Sequence, residues 1–463
     1  MKGMDGQVRT LLIHLIKYRL SYQQMLNRNL SDLNATMYRY KYFFILIILE
    51  FCSNQTFAQY DAPLYTSYTT VSERAKLHNR LIKYSINQNL SIPLNDSTEE
   101  NWEDAFSAME VLLYRSPFSD DKIHKAFEAI DARSIDFQKA LLELAYTNYP
   151  GIFFSTVKNL LYHTTDPKVF AMCSEYLLQQ KKDSSFINTI TKLIEPKFGD
   201  SSIINPVLYM LQLHISEKKT NGIFLSKKLL TELFSNKLLP GQTVTYSIQR
   251  KDRDYPGLLV VRNQIGNFIT DSNGIIFSIP QLARSITNLP FYLRGGNTPQ
   301  GIFLMHGFGV SMSSFIGPTA NIQLSMPVET SIKAFMRDSS ITDTTWSIEY
   351  YNKLIPTDFR NYLPFYYSYY AGLAGRTEII AHGTTIDPNI YANKPYYPLT
   401  PTQGCLCTKE IWNGKRLESD QQKLVNALLK AGGANGYCVV IELDDKQSAV
   451  TLEDILRFLK TND

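Results

Sequence analysis

Cys405 and Cys407 stand one residue apart, and a His-Gly-Thr begins 23 residues before the first of them, in the stretch HGTTIDPNIYANKPYYPLTPTQGCLCTKE, 382–410. Cysteine attacks as the thiolate, and a free thiol of pKa about 8.5 is only a few per cent ionised at neutral pH. A working thiol therefore needs a base or a positive local field. The apolar run TEIIA reads as a strand that delivers His382 into a Gly-Thr turn, and loops held by rigid strands are where catalytic groups collect. Gly383 allows a sharp bend beside the histidine, and Gly404 allows one before Cys405. The second turn would aim backbone N–H groups of Gln403, Gly404 and Cys405 at a reacting carbonyl, as an oxyanion hole does. The residues alone leave a second reading open, in which Cys405 is a small buried hydrophobe and His382 caps a strand.

Other candidates are weaker. His78, His124, His163 and His214 fall on helical patterns, where a histidine usually serves as a surface or interhelical polar group. His306 forms a second His-Gly pair on a strand-like segment, and a structural or substrate-facing role is expected for it. No His-Glu-x-x-His, Cys-x-x-Cys or His-rich tract is present, so neither a metal nor a cofactor is expected. Cys405 and Cys407 are poor disulfide partners. An extended Cys-x-Cys points both Cβ vectors the same way, too far apart for a bond that needs Cβ atoms at ~3.8 Å. Pairing of Cys173 with Cys438 stays open.

Two kinds of element must position these residues. Over 60–238, segments such as WEDAFSAMEVLLYR, DFQKALLELAYTNY and DPKVFAMCSEYLLQQ repeat apolar residues three and four apart, as amphipathic helices do. Asp166-Pro167 and Asn205-Pro206 read as helix starts. Short helices in series predict an all-α, solenoid-like domain and a partner-binding surface, although no fixed repeat period is found. From Leu239-Pro240-Gly241 the texture changes. TVTYSIQ, GLLVVRN, GIFLMHGF, TEIIAHG and GYCVVIEL are β-branched or aromatic runs bounded by turn residues. Residues 240–463 are thus expected to form a mostly β domain with inserted helices, and the whole chain an α+β multidomain protein.

Length and leader fit that division. The 463 residues, 44% of them hydrophobic, can bury more than one core. From Met37 the order is basic residues, an apolar run from Tyr42 to Phe51, then a polar stretch ending in Thr56-Phe57-Ala58. This predicts a signal peptide within a 1–58 leader, and so export to the periplasm or cell envelope. The apolar run is much shorter than the roughly 20 residues that span a bilayer, so a membrane link is expected only through an uncleaved or lipidated leader. Cleavage would remove seven of the 47 Lys/Arg and three of the 43 Asp/Glu, leaving 40 of each. A neutral exported chain offers no basic surface to nucleic acid.

The motifs resemble a known family. IIAHGTT followed by PTQGCLC, with Thr298-Pro299-x-Gly301 ahead of a hydrophobic strand, is similar to the signature of the L,D-transpeptidases over roughly residues 255–445. The resemblance implies a mostly β catalytic domain acting on peptidoglycan stem peptides, with Cys405 as nucleophile and His382 as base. It further implies that the Gly383 carbonyl orients the other ring nitrogen, that Gly404 and Gln403 belong to the oxyanion turn, and that Thr402 fills the family's Ser/Thr place. Two departures stand out: Gln403 where His is frequent, and Cys407 where a basic or other residue is usual. Thr402, Cys407, His306, Tyr396 and Tyr397 are candidate substrate contacts. The insert YANKPYYPLTP and the segment NYLPFYYSYY (361–370) are expected either to line or cover the cleft or to be ordinary core. The expected activity is transfer of an acyl group from a tetrapeptide stem to an amine, releasing terminal D-Ala and giving a 3-3 cross-link. Hydrolysis at the same site, as an L,D-carboxypeptidase, is the near alternative; a non-catalytic envelope scaffold is the distant one.

Overall fold

A computed structural model describes residues 70–180, 184–200, 204–217, 224–412 and 417–459. The predicted leader lies outside them. The first part is helical: α1 (Val71–Arg80), α2 (Glu99–Leu112), α3 (Pro117–Glu128), α4 (Ile135–Asn148), α5 (Phe154–His163), α6 (Pro167–Gln180), α7 (Ser184–Phe198), α8 (Pro206–Glu217) and α9 (Lys227–Phe234). Their starts are built by capping. Ser116 and Ser119 form a reciprocal box ahead of Pro117, Asp166 accepts from the N–H groups of Lys168 and Val169, and Asn205 does the same for Val207 and Leu208. Apolar faces carrying Phe106, Phe137, Leu141, Phe170 and Tyr176 meet in one core.

The second part is mostly sheet. Eight strands pair in the order β3-β2-β1-β10-β4-β5-β6-β7, with β1 at Thr243–Arg250, β2 at Gly257–Arg262, β3 at Ser278–Gln281, β4 at Gly301–Gly309, β5 at Asn321–Ser325, β6 at Ile380–Gly383, β7 at Leu406–Thr408 and β10 at Asn435–Asp444. The sheet nearly closes. Leu282, just beyond β3, exchanges two 2.8 Å backbone hydrogen bonds with Cys407 on β7. A small hairpin, β8 (Glu410–Trp412) with β9 (Leu417–Ser419), stands apart. Alternate residues feed different cores: Val439 and Ile441 pack with Tyr246 and Phe365, whereas Cys438 and Val440 pack with Met305, Leu406 and Leu428. With both faces covered, the strands read as apolar runs rather than as an alternation.

Helices complete the second part: α10 (Tyr367–Leu373), α11 (Asp420–Lys430) and α12 (Leu452–Leu459). The texture change at 239–241 coincides with the first strand, but packing divides the chain earlier. Leu230, Leu233 and Phe234 of α9 belong to the core under β1. Conversely Leu289, Tyr292, Leu293 and Tyr367 of the second part are buried in the helical core. The two parts share this core, and α8 joins it through His214, whose Nδ1 lies 2.7 Å from Glu175 Oε1, the oxygen that also accepts from the Tyr292 hydroxyl at 2.9 Å.

Most rings of the two aromatic segments are structural. Tyr362, Phe365, Tyr366, Tyr367 and Tyr369 are buried, and the Phe365 carbonyl accepts from Tyr351 at 2.7 Å. In the insert, Tyr391 and Tyr396 are buried, and Tyr391 donates to the Val111 carbonyl on α2 at 2.9 Å. Of the two roles expected for these segments, these buried rings take that of core, whereas Tyr397 stays exposed.

Candidate active site

The parallel pair β6–β7 sets the geometry. Its register aligns Ala381 with Leu406, His382 with Cys407 and Gly383 with Thr408. Cys405 therefore precedes the residue opposite His382 by two positions. Strand spacing and rise put their Cα atoms about 8 Å apart, within reach of two side chains. The His382 ring is buried, and its Nδ1 lies 2.7 Å from the Gly383 carbonyl oxygen. That contact makes Nδ1 the protonated nitrogen and leaves the Nε2 lone pair free to act as a base. Gly317 N–H donates to the same carbonyl at 2.8 Å and fixes its direction. Burial lowers the His382 pKa, against the opposing effect of the Gly383 hydrogen bond, so the imidazole is neutral at neutral pH.

The turn that carries Cys405 is built by its neighbours. Thr402 Oγ1 donates to the Cys405 carbonyl at 2.9 Å and accepts from Gly404 N–H at 3.2 Å. Thr298, from the Thr-Pro-x-Gly segment, donates to the Gly404 carbonyl at 2.8 Å. Gly404 has φ +113°, and a Cβ there would collide with the Arg376 guanidinium and the Gly296 carbonyl. Only glycine fits.

Cys405 is partly exposed and its thiol contacts the Glu378 carbonyl at 3.5 Å. Burial raises the thiol pKa; the Ile380 N–H and the Arg376 guanidinium lower it, and Glu378 and Glu329 raise it further. No hydrogen bond joins His382 to Cys405 among the described residues. The resting pair is thiol and imidazole. Catalytic hydrogen bonds commonly tighten only once substrate is present.

Several expected contacts take other places. Cys407 is fully buried and its thiol lies 3.3 Å from the Thr408 carbonyl, so at the sheet seam it has no surface for a substrate. Thr402 is spent on the turn, and Tyr396 is 1% exposed against Leu282 and Leu399. Neither is open to a ligand. Of the three N–H groups expected to face a reacting carbonyl, that of Gly404 is committed to Thr402 Oγ1. The Gln403 side chain and Tyr397 are exposed. His306 is exposed on β4, where it contacts Ser325 Oγ at 3.1 Å, and β5 stands between it and β6. The four described cysteines are free thiols. No group of three or more metal-ligating side chains is found among the described residues.

Three residues escaped the sequence reading. Arg376 is buried and donates to the carbonyls of Phe291, Gly296 (3.0 Å) and Asn297 (2.7 Å); burial lowers its pKa to about 10. Glu378 is the residue whose carbonyl meets the Cys405 thiol. Glu410 is 1% exposed, with Oε1 taken by the Thr319 hydroxyl and Oε2, against Gly383 and Gly317, without a hydrogen-bond partner among the described residues. Burial raises its pKa. Nothing local separates these side chains from surface charges; only tertiary packing does. Comparison with protein-family models, curated proteins and solved structures finds no match to this chain.

Proposed function

We propose that this chain is a cysteine acyltransferase of the L,D-transpeptidase kind, acting on peptidoglycan stem peptides. One observation carries the reading: a buried, neutral His382 with Nδ1 on the Gly383 carbonyl sits one strand from Cys405, on a turn braced by Thr298. The oriented imidazole and the presented thiol supply two of the three parts of a nucleophile–base–orienter set, and a backbone carbonyl supplies the third.

In the reaction, His382 Nε2 takes the Cys405 proton as sulfur attacks the carbonyl of the third stem residue. The developing oxyanion is met by N–H groups of the Gln403–Cys405 turn. The imidazolium then gives its proton to the leaving D-Ala nitrogen, and a thioester remains on Cys405. An incoming amine displaces the sulfur and yields the cross-link; water in its place yields a tripeptide. Export to the cell envelope belongs to this reading because the substrate lies there. The test is incubation of the purified protein with a tetrapeptide stem and an amine acceptor, followed by mass analysis. A cross-linked product supports transfer, a tripeptide supports hydrolysis, and unchanged peptide contradicts both.

A further inference from the structure

Between α10 and β6 the chain passes Cys405 as a strap, 374–379. Arg376 anchors one point of it through three backbone carbonyls. Glu378 is the other, and its backbone has φ +63°, a conformation that costs a non-glycine residue energy and persists only when its surroundings hold it. Here they do. The Glu378 N–H donates to Glu329 Oε1 at 2.7 Å, while Glu329 Oε2 accepts from Met326 N–H at 2.8 Å. The Glu378 carbonyl faces the Cys405 thiol. Its side chain is exposed and has no hydrogen bond or ion pair among the described residues. Both Glu329 and Glu378 act on the thiol, but Glu329 is held by two backbone N–H groups, so the exposed Glu378 side chain is the one of the two carboxylates with nothing engaging it among the described residues.

This placement opposes ionisation of the thiol, which is a poor arrangement for the first half of an acyl transfer. The second half is different. Once sulfur is acylated it carries no charge, and a carboxylate at its rim no longer meets a like charge. It attracts a cation instead.

We propose that Glu378 is a specificity determinant for the second half-reaction: its carboxylate gathers the ammonium group of the acyl acceptor beside the Cys405 thioester and so favours amine over water. The assignment rests on the acyl-transfer reading above. Protons balance as the ammonium becomes an amide. It loses two: one returns to the Cys405 sulfur by way of His382, and the other leaves to solvent by way of Glu378.

The experiment follows the partition of the acyl-enzyme. Wild type, Glu378→Gln and Glu378→Asn are given a tetrapeptide donor and rising concentrations of an amine acceptor, and cross-linked product is measured against tripeptide. Asparagine tolerates positive φ, so a folding defect in one variant does not decide the result. The amine-to-water ratio should fall roughly two- to fivefold in both variants, the scale of an exposed ion pair. It should fall with added salt in the wild type alone. Acyl-enzyme should form faster in the variants, because the thiol loses a like-charged neighbour. An unchanged ratio, or a wild type that hydrolyses without transferring, overturns the assignment and leaves the acyl-enzyme standing. No acyl-enzyme in any form overturns the acyl-transfer reading and the assignment together.

Discussion

Cys405 lies between opposing influences whose balance can be read from its pH behaviour. Packing holds the thiol in its neutral form, the Arg376 guanidinium and the Ile380 N–H pull the other way, and His382 is kept neutral by its own burial. Alkylation of Cys405 by iodoacetamide should therefore keep rising with pH beyond the range of an ordinary thiol. Replacing Arg376 with Met removes a favourable charge from the thiolate, so the midpoint should move higher still. The rate at pH 8 should drop several-fold, because well below the midpoint the thiolate fraction falls about tenfold for each pH unit that the midpoint climbs. A midpoint that moves lower would mean that the guanidinium does not act on the sulfur. His382 and Cys405 were legible in the sequence because each stands beside a glycine at the end of a strand. Arg376 was not, because its role depends on carbonyls at Phe291, Gly296 and Asn297, about 80 residues earlier.

At the scale of elements, the site is a strand pair and the turns that feed it. β6 and β7 are four and three residues long, short enough that the register depends on what braces them. Thr298 and Thr402 hold the Gly404 turn from either side. Gly404→Ala puts a Cβ against Arg376 and Gly296 at a positive φ. It should cost about 1–3 kcal/mol of stability and slow acylation of Cys405 by more than roughly tenfold. Thermal unfolding and acylation rate check the two halves, and a fully active, equally stable variant would show that the turn has room it lacks here. The Thr-Pro-x-Gly segment was visible in the sequence as a motif but not as a brace. Its partner is 106 residues away, and no periodicity reports such a contact. The same holds for Tyr391 and Tyr396, whose burial depends on Val111 of the helical part and on the closing of the sheet at Leu282.

Across the whole molecule, the helical part braces the site. Leu289, Tyr292 and Leu293 are buried in its core, next to Phe291, whose carbonyl holds Arg376. Near this junction Glu110 on α2 and Glu143 on α4 are held above the ordinary carboxyl range, chiefly by burial, with Glu143 raised to about 7 and Glu110 raised further by its neighbour. A carboxyl whose folded pKa exceeds its unfolded one binds more protons when folded. Its contribution is present in full below the ordinary carboxyl range and is lost as pH rises through about 7. Thermal stability should therefore fall between pH 5 and pH 8, and Glu143→Gln should flatten that slope; an unaltered slope would mean that this pair does not set it. The amphipathic periods made the helices legible, but not that they share a core with the loops carrying the site. The proposal that Cys405 is an acyl-accepting thiol worked by His382 is read out by intact mass after exposure to a carbapenem. One adduct on the wild type, absent in Cys405→Ala and slowed by a hundredfold or so in His382→Gln, is the predicted result. A folded wild type that stays unmodified, or an adduct that survives loss of Cys405, would contradict it.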